Sequence, residues 1–176
     1  AQAGHKVRVY DAFQCSLDTL HTRIESNLRD LDEPADCLSL VSGHADLGEA
    51  LAGARFVFEC APEKLELKRE IFAKLEALAP KDAVIASNTS VMPIGSIVGD
   101  LATRSRMLGT HWWNPPFLVP LVEVVGTSDT ELRHIESMMA LLSAAGKTPV
   151  RVMKDVAGFV GNRLQHALWR EAIALV

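Results

Sequence analysis

His111 stands at the end of a predicted strand, in Gly109-Thr-His-Trp-Trp-Asn-Pro-Pro116, and twelve residues later Glu123 stands in Pro120-Leu-Val-Glu-Val-Val125. A carboxylate inside an otherwise apolar strand is costly to bury without a partner, and a histidine facing it from a neighbouring strand supplies one. Such a pair holds the imidazole in one tautomer and stabilises the imidazolium formed when it takes a proton, which oxidation of an alcohol requires. The spacing alone is equally compatible with an edge-strand Glu pointing to solvent and a structural His.

Asp11 follows a predicted strand early in the chain. A carboxylate there accepts both hydrogen bonds of an adenosine ribose diol and favours NAD over NADP, whose 2′-phosphate it would repel. Alternatively it caps the following helix. Ser87-Asn-Thr-Ser90 lies just after another predicted strand, on the ligand-binding edge of a sheet, where ordinary turn chemistry also accounts for it. Asn162, in Gly158-Phe-Val-Gly-Asn-Arg163, is polar near the start of an apolar helix, where capping competes with a substrate contact. Trp112 and Trp113 are candidates for a pocket floor or for core. The three cysteines, Cys15, Cys37 and Cys60, form no CxxC pair and have no histidine at ligand spacing. No metal site is expected, and a reduced, cytoplasmic protein fits best.

These residues need a scaffold, and the hydrophobic pattern supplies short apolar strands alternating with amphipathic helices. Strands are predicted at Lys6 to Tyr10, Arg55 to Cys60, Asp82 to Ala86, Arg106 to His111, Leu118 to Val125 and Thr148 to Met153. Pro120 suggests that the fifth of these is an edge strand or is bent at its start. Helices are expected from Ser16 to Leu31, with Leu17, Leu20, Ile24 and Leu28 on one face, and from Glu63 to Ala79, with shorter ones at Asp46 to Leu51 and Met92 to Val98. Ser128-Asp-Thr-Glu131 looks like a capping box opening a helix that Gly146 closes. Phe159 to Val176 is a last helical stretch. Alternation of this kind implies a doubly wound, mostly parallel α/β sheet that binds ligands beyond the carboxyl ends of its strands.

Composition narrows the partners. Nearly half of the 176 residues are apolar, 23% are charged, and the formal net charge is -4. Lys and Arg are scattered and outnumbered, so the basic stripe of a nucleic-acid binder is missing. No apolar run approaches the roughly 20 residues that cross a bilayer, so a membrane partner is not expected either.

Taken together, Asp11, Glu59-Cys-Ala-Pro-Glu63, Ser87-Asn-Thr-Ser90, His111-Trp-Trp-Asn-Pro-Pro116, Leu121-Val-Glu-Val-Val125 and Ala157-Gly-Phe-Val-Gly-Asn-Arg163 resemble the 3-hydroxyacyl-CoA dehydrogenase family. The resemblance implies a Rossmann-type NAD domain over residues 1–156 and, from 157 to 176, the first helix of an all-helical dimerisation domain that makes a homodimer. It implies that His111 is the general base and Glu123 its orienting carboxylate, with Ser90 and Asn162 around the reacting hydroxyl. Asp11 would hold the adenosine ribose, and Glu63, Lys68 and Asn114 the nicotinamide half of NAD. The expected reaction is oxidation of a 3-hydroxyacyl-CoA to the 3-oxoacyl-CoA, as in fatty-acid metabolism. The first strand and the Gly-rich turn of such a domain would lie upstream of Ala1. Two features depart from typical members. The stretch between Asp11 and Glu59 is shorter and less basic than the helical hairpin that meets coenzyme A, and the Asn114-Pro-Pro116 and Glu59 to Arg69 segments are similar to the gulonate dehydrogenase and lambda-crystallin branch. That branch implies a free 3-hydroxy acid as substrate, or a non-catalytic scaffold role.

Overall fold

A computed structural model describes residues 1–176 and divides them into two compact units. The first comprises residues 1–54 and 78–81. In it β1 (Val7–Tyr10) is followed by α1 (Gln14–Asp18), α2 (Leu20–Asp30), a 3₁₀ segment (Ala35–Leu40), β2 (Val41–His44) and α3 (Leu47–Leu51). The two strands pair in parallel, Val7 opposite Val41 and Tyr10 opposite His44. The helical stripe expected from Ser16 to Leu31 is broken at Thr19, which ends α1 and begins α2. Its hydroxyl bonds back to the carbonyls of Cys15 and Ser16, a local competitor of the helical ladder. Asp46 caps α3 by accepting the Glu49 N–H at 2.8 Å.

The second unit, residues 55–77 and 82–176, is built on a five-stranded sheet. Its elements are β3 (Phe56–Glu59), α4 (Leu65–Leu78), β4 (Val84–Ser87), α5 (Ile94–Val98), β5 (Met107–Trp112), β6 (Leu121–Gly126), α6 (Leu132–Ala144), β7 (Thr148–Val152) and α7 (Gly161–Ala174). The spatial order is β3-β4-β5-β6-β7, parallel throughout except that β6 runs antiparallel to β5. This is the mostly parallel α/β architecture that the alternating pattern implies, and its central strands are buried on both faces.

Pro120 does not mark an edge. It immediately precedes β6, which lies between β5 and β7, and its carbonyl accepts the Thr148 N–H at 2.9 Å. The missing proline N–H therefore costs no ladder bond. Nor do residues 128–131 form a capping box: Glu131 is the N-cap of α6 but makes no side-chain cap bond, and the Thr127 and Thr130 hydroxyls bond each other instead. The C-terminus of α6 does end as expected. Gly146, at φ +77°, donates to Ser143, and Lys147 donates to Leu142, the paired bonds of a Schellman motif.

One core packs Val84, Ala86, Leu108, Val122 and Val124 of the sheet against Ile135, Met138 and Leu142 of α6. Each fully buried aliphatic side chain there contributes about 1.5–3 kcal/mol. On α5, Ile94 approaches β5 so closely that a Cβ on Gly109 would lie 2.4 Å from its Cδ1. α7 groups with this unit, yet none of its residues is buried. No helix is long and apolar enough to cross a membrane.

Candidate active site

β3, β4 and β5 are parallel, so their carboxyl ends share one edge, and the antiparallel β6 brings its beginning to that same edge. The register sets His111 directly opposite Glu123. Directly opposed residues of an antiparallel pair project to the same face at contact distance. The result is a hydrogen bond of 2.7 Å between His111 Nδ1 and Glu123 Oε2, with side chains only 5% and 3% exposed. The solvent-facing Glu that spacing alone permitted is thereby excluded.

Glu123 is fully engaged. Its second oxygen, Oε1, accepts the backbone N–H of Val160 at 2.9 Å and of Gly161 at 3.1 Å, where α7 begins. Burial works to raise its pKa. The hydrogen bond from His111, the N–H groups of Gly161 and Val160 and the charge of a protonated His111 outweigh burial and hold the carboxyl below its ordinary value. With Glu123 ionised it accepts, so Nδ1 of His111 carries the proton and Nε2 is the basic nitrogen. Two rings flank the imidazole: Trp113 at 5.2 Å and Phe159 at 5.7 Å between centroids.

Asn162, in the first turn of α7, donates from Nδ2 to the backbone carbonyl of Ser90 at 2.7 Å. The predicted group His111, Glu123, Ser90 and Asn162 is thus linked through the start of α7, with Ser90 exposed and its hydroxyl turned to no protein partner. Ser90 is in turn held by Glu63, whose Oε1 accepts the N–H groups of Ser90 at 3.0 Å and Val91 at 3.3 Å, and the hydroxyl of Thr89. Burial raises the Glu63 pKa, but these donors and the nearby Lys68 charge more than compensate and leave it lowered.

Lys68 points inward. Its side chain is 1% exposed, and its ammonium donates to both oxygens of Glu59, at 2.9 and 3.0 Å, and to the Ala61 carbonyl at 3.0 Å, with Glu63 Oε2 at 3.5 Å. Glu59 also accepts from the Ser87 hydroxyl at 2.7 Å and from the Ala61 N–H at 2.6 Å. Lys68 therefore braces the turn after β3 and presents no donor to solvent. Asn114 is exposed beyond the end of β5, apart from this network.

In the other unit, Asp11 stands just past the carboxyl end of β1 and accepts the Phe13 N–H at 2.9 Å. This is a turn of the loop and not a helix cap, since the N-cap of α1 is Phe13. Only Oδ1 is used, so Oδ2 is available. An unpaired carboxylate oxygen past a strand's carboxyl end fits the ribose hydroxyls of a dinucleotide.

Sequence reasoning assigned no role to Glu59, Thr89, Phe159, Gly161 or Asp155. The Asp155 carboxylate accepts the N–H groups of Ile94 and Gly95, each at 2.7 Å, which open α5. Phe159 has φ +47°, a conformation costing a non-glycine residue about 1–3 kcal/mol and found where surrounding structure demands it. A signal for Glu59 was present, because a second acidic residue ends an apolar strand at Phe56–Glu59.

A doubly wound α/β domain with a buried His–Glu pair at the carboxyl edge of its sheet is a site built for proton transfer. The family model described as 3-hydroxyacyl-CoA dehydrogenase, NAD binding domain, matches residues 1–156. The chain belongs to this family, and its cofactor is NAD. It is 36% identical, over its full length, to the lambda-crystallin homolog of Mus musculus, of which it spans 58%. It is 45% identical over 130 residues, 74% of its length and 39% of the relative, to the L-carnitine dehydrogenase of Streptomyces griseus. The solved structure of 3-hydroxybutyryl-CoA dehydrogenase from Escherichia coli superimposes with a TM-score of 0.86 at 31% identity, covering 97% of this chain and 37% of that one.

Proposed function

We propose that the intact protein oxidises the 3-hydroxyl of a 3-hydroxy acid, free or as a thioester, to the 3-oxo compound. The observation that carries this reading is the buried His111–Glu123 pair, with Nε2 of His111 left basic. NAD, when bound, supplies the acceptor for the hydride that leaves C3. His111 Nε2 takes the hydroxyl proton as the C–O bond becomes a carbonyl, and Glu123 balances the imidazolium so formed. General-base help of this kind contributes typically 10²–10⁴-fold. The Ser90 hydroxyl donates to the oxygen of the substrate hydroxyl, and Asn162, whose Nδ2 holds the Ser90 carbonyl, keeps Ser90 in place beside it. Asp11 holds the adenosine ribose, Glu63 and Asn114 meet the nicotinamide half, and Lys68 acts through Glu63.

Of the two acyl forms we place the free acid first. The relative with 45% identity is named for L-carnitine, a free 3-hydroxy acid. The α1–α2 stretch from Gln14 to Glu33 carries Arg23 and Arg29 against Asp18, Glu25, Asp30, Asp32 and Glu33, a poor surface for the phosphates of coenzyme A. The thioester reading draws on the family description and on the likeness to 3-hydroxybutyryl-CoA dehydrogenase. The same proposal includes a cytoplasmic location, consistent with three free thiols, and a homodimer. NADH formation by the intact protein, offered carnitine, gulonate and 3-hydroxybutyryl-CoA separately, tests it. Turnover of a free acid alone is expected, turnover of the thioester alone reverses the order of the two forms, and no turnover with any favours the scaffold role.

A further inference from the structure

Residues 155–162 form a strap whose contacts converge on the proposed base. Asp155 ties it to the start of α5, and the Gly158 N–H donates to the Val91 carbonyl at 3.0 Å. Gly158 and Phe159 then take consecutive positive φ values, +76° and +47°. This reversal seats the Phe159 ring, 1% exposed, against His111 and aims the next two N–H groups at Glu123 Oε1. Beyond it, Gly161 lies so close to Trp113 that a Cβ would stand 2.1 Å from Cζ2 and 2.8 Å from Cη2. Trp113 is the other ring against the imidazole, and its buried indole N–H has no hydrogen-bond partner. An indole kept in place without that bond is held by packing alone, and Gly161 is the residue that admits it.

We propose that Phe159 and Gly161 are positioning residues for the base: through the strap they set the direction of Glu123 and the plane of His111, so the pair is assembled only while the start of α7 is seated. The proposal rests on the role given to His111 above. It adds that the carboxylate is oriented by the backbone of the strap and the imidazole by two rings, none of which touches the reacting atoms.

In the intact protein, Gly161→Ala is expected to displace Trp113 and the strap, lowering kcat about 10²-fold, as a misplacement of about 1 Å can, while KM for both substrates stays within about twofold. The acidic limb of the kcat profile is expected to move to higher pH, because a Glu123–His111 pair without the two N–H donors takes up its first proton more readily. Adding Trp113→Phe to Gly161→Ala removes the colliding ring atoms without losing a hydrogen bond, and is expected to recover most of kcat and return the limb. Phe159→Leu keeps apolar bulk, safeguards the test if Gly161→Ala fails to fold, and is expected to lower kcat about tenfold through lost orientation of the imidazole. A folded Gly161→Ala or Phe159→Leu with unchanged kcat and pH profile overturns the proposal, as does a folded double variant without recovery. His111→Asn in the same assay separates the two levels: if it stays active, the base assignment fails, and if it is inactive while the strap variants are unaffected, only the positioning fails.

Discussion

The carboxyl edge of the five-stranded sheet holds two buried carboxylates that have been neutralised in different ways. Glu59 is matched by the Lys68 ammonium, within 3.0 Å of both its oxygens, and by the Ser87 hydroxyl. Glu123 is matched by the His111 imidazole and by two backbone N–H groups. The first corner has every donor committed and no proton to spare, so it fastens the turns after β3 and β4. The second keeps a basic nitrogen free, and its carboxylate is satisfied well enough by the backbone to tolerate either state of the imidazole. A buried charge becomes usable for chemistry when its partner can titrate.

This contrast breaks most severely at the first corner. Lys68→Met leaves Glu59 buried without a counter-charge and is expected to cost about 3–5 kcal/mol, measured by denaturant unfolding. Adding Glu59→Gln, which keeps the Ser87 bond and removes the charge, is expected to recover most of the loss. At the second corner Glu123→Gln turns an amide toward groups that are themselves donors. It is expected to lower kcat about 10²-fold and stability by about 1–3 kcal/mol, read from steady-state rates and urea midpoints.

Acid titration distinguishes the corners more gently. Glu123 and Glu63 both have pKa values lowered by folding. Their stabilising contribution is therefore complete above the ordinary carboxylate pKa of about 4.3 and is lost as pH falls through the lower, folded values. The urea midpoint is expected to hold steady from about pH 6 to 5 and to decline below about pH 4. Glu63→Gln is expected to shallow that decline only slightly, because its side chain is 35% exposed and solvent screens its interactions. The smallest effect is expected in the other unit, where Asp11→Asn should raise KM for NAD about tenfold, a loss of about 1.4 kcal/mol, and leave kcat within about twofold.

The His111–Glu123 pair was legible in the sequence because a lone carboxylate in an apolar strand demands a partner, and the sheet register delivers the one expected. The alternating pattern likewise led to the parallel strands and to the Schellman end of α6. Other features obey local rules that periodicity does not carry. Leu17 and Leu20 keep one stripe across the break at Thr19, so the split between α1 and α2 is invisible in the spacing of apolar residues. Pro120 looked like an edge signal but sits one residue before β6 begins. Nothing in Phe159 announces a left-handed backbone, which only the surrounding contacts enforce. Glu59 and Lys68 are nine residues apart, and their pairing depends on how α4 folds back along β3.

The most direct test of the central claim is turnover by His111→Asn in the intact protein, measured with NAD and the best 3-hydroxy substrate and accompanied by a melting curve. The account predicts a folded protein that still binds NAD and has lost about 10²–10⁴-fold in kcat. A folded variant with kcat within about twofold of the original would show that another group takes the proton.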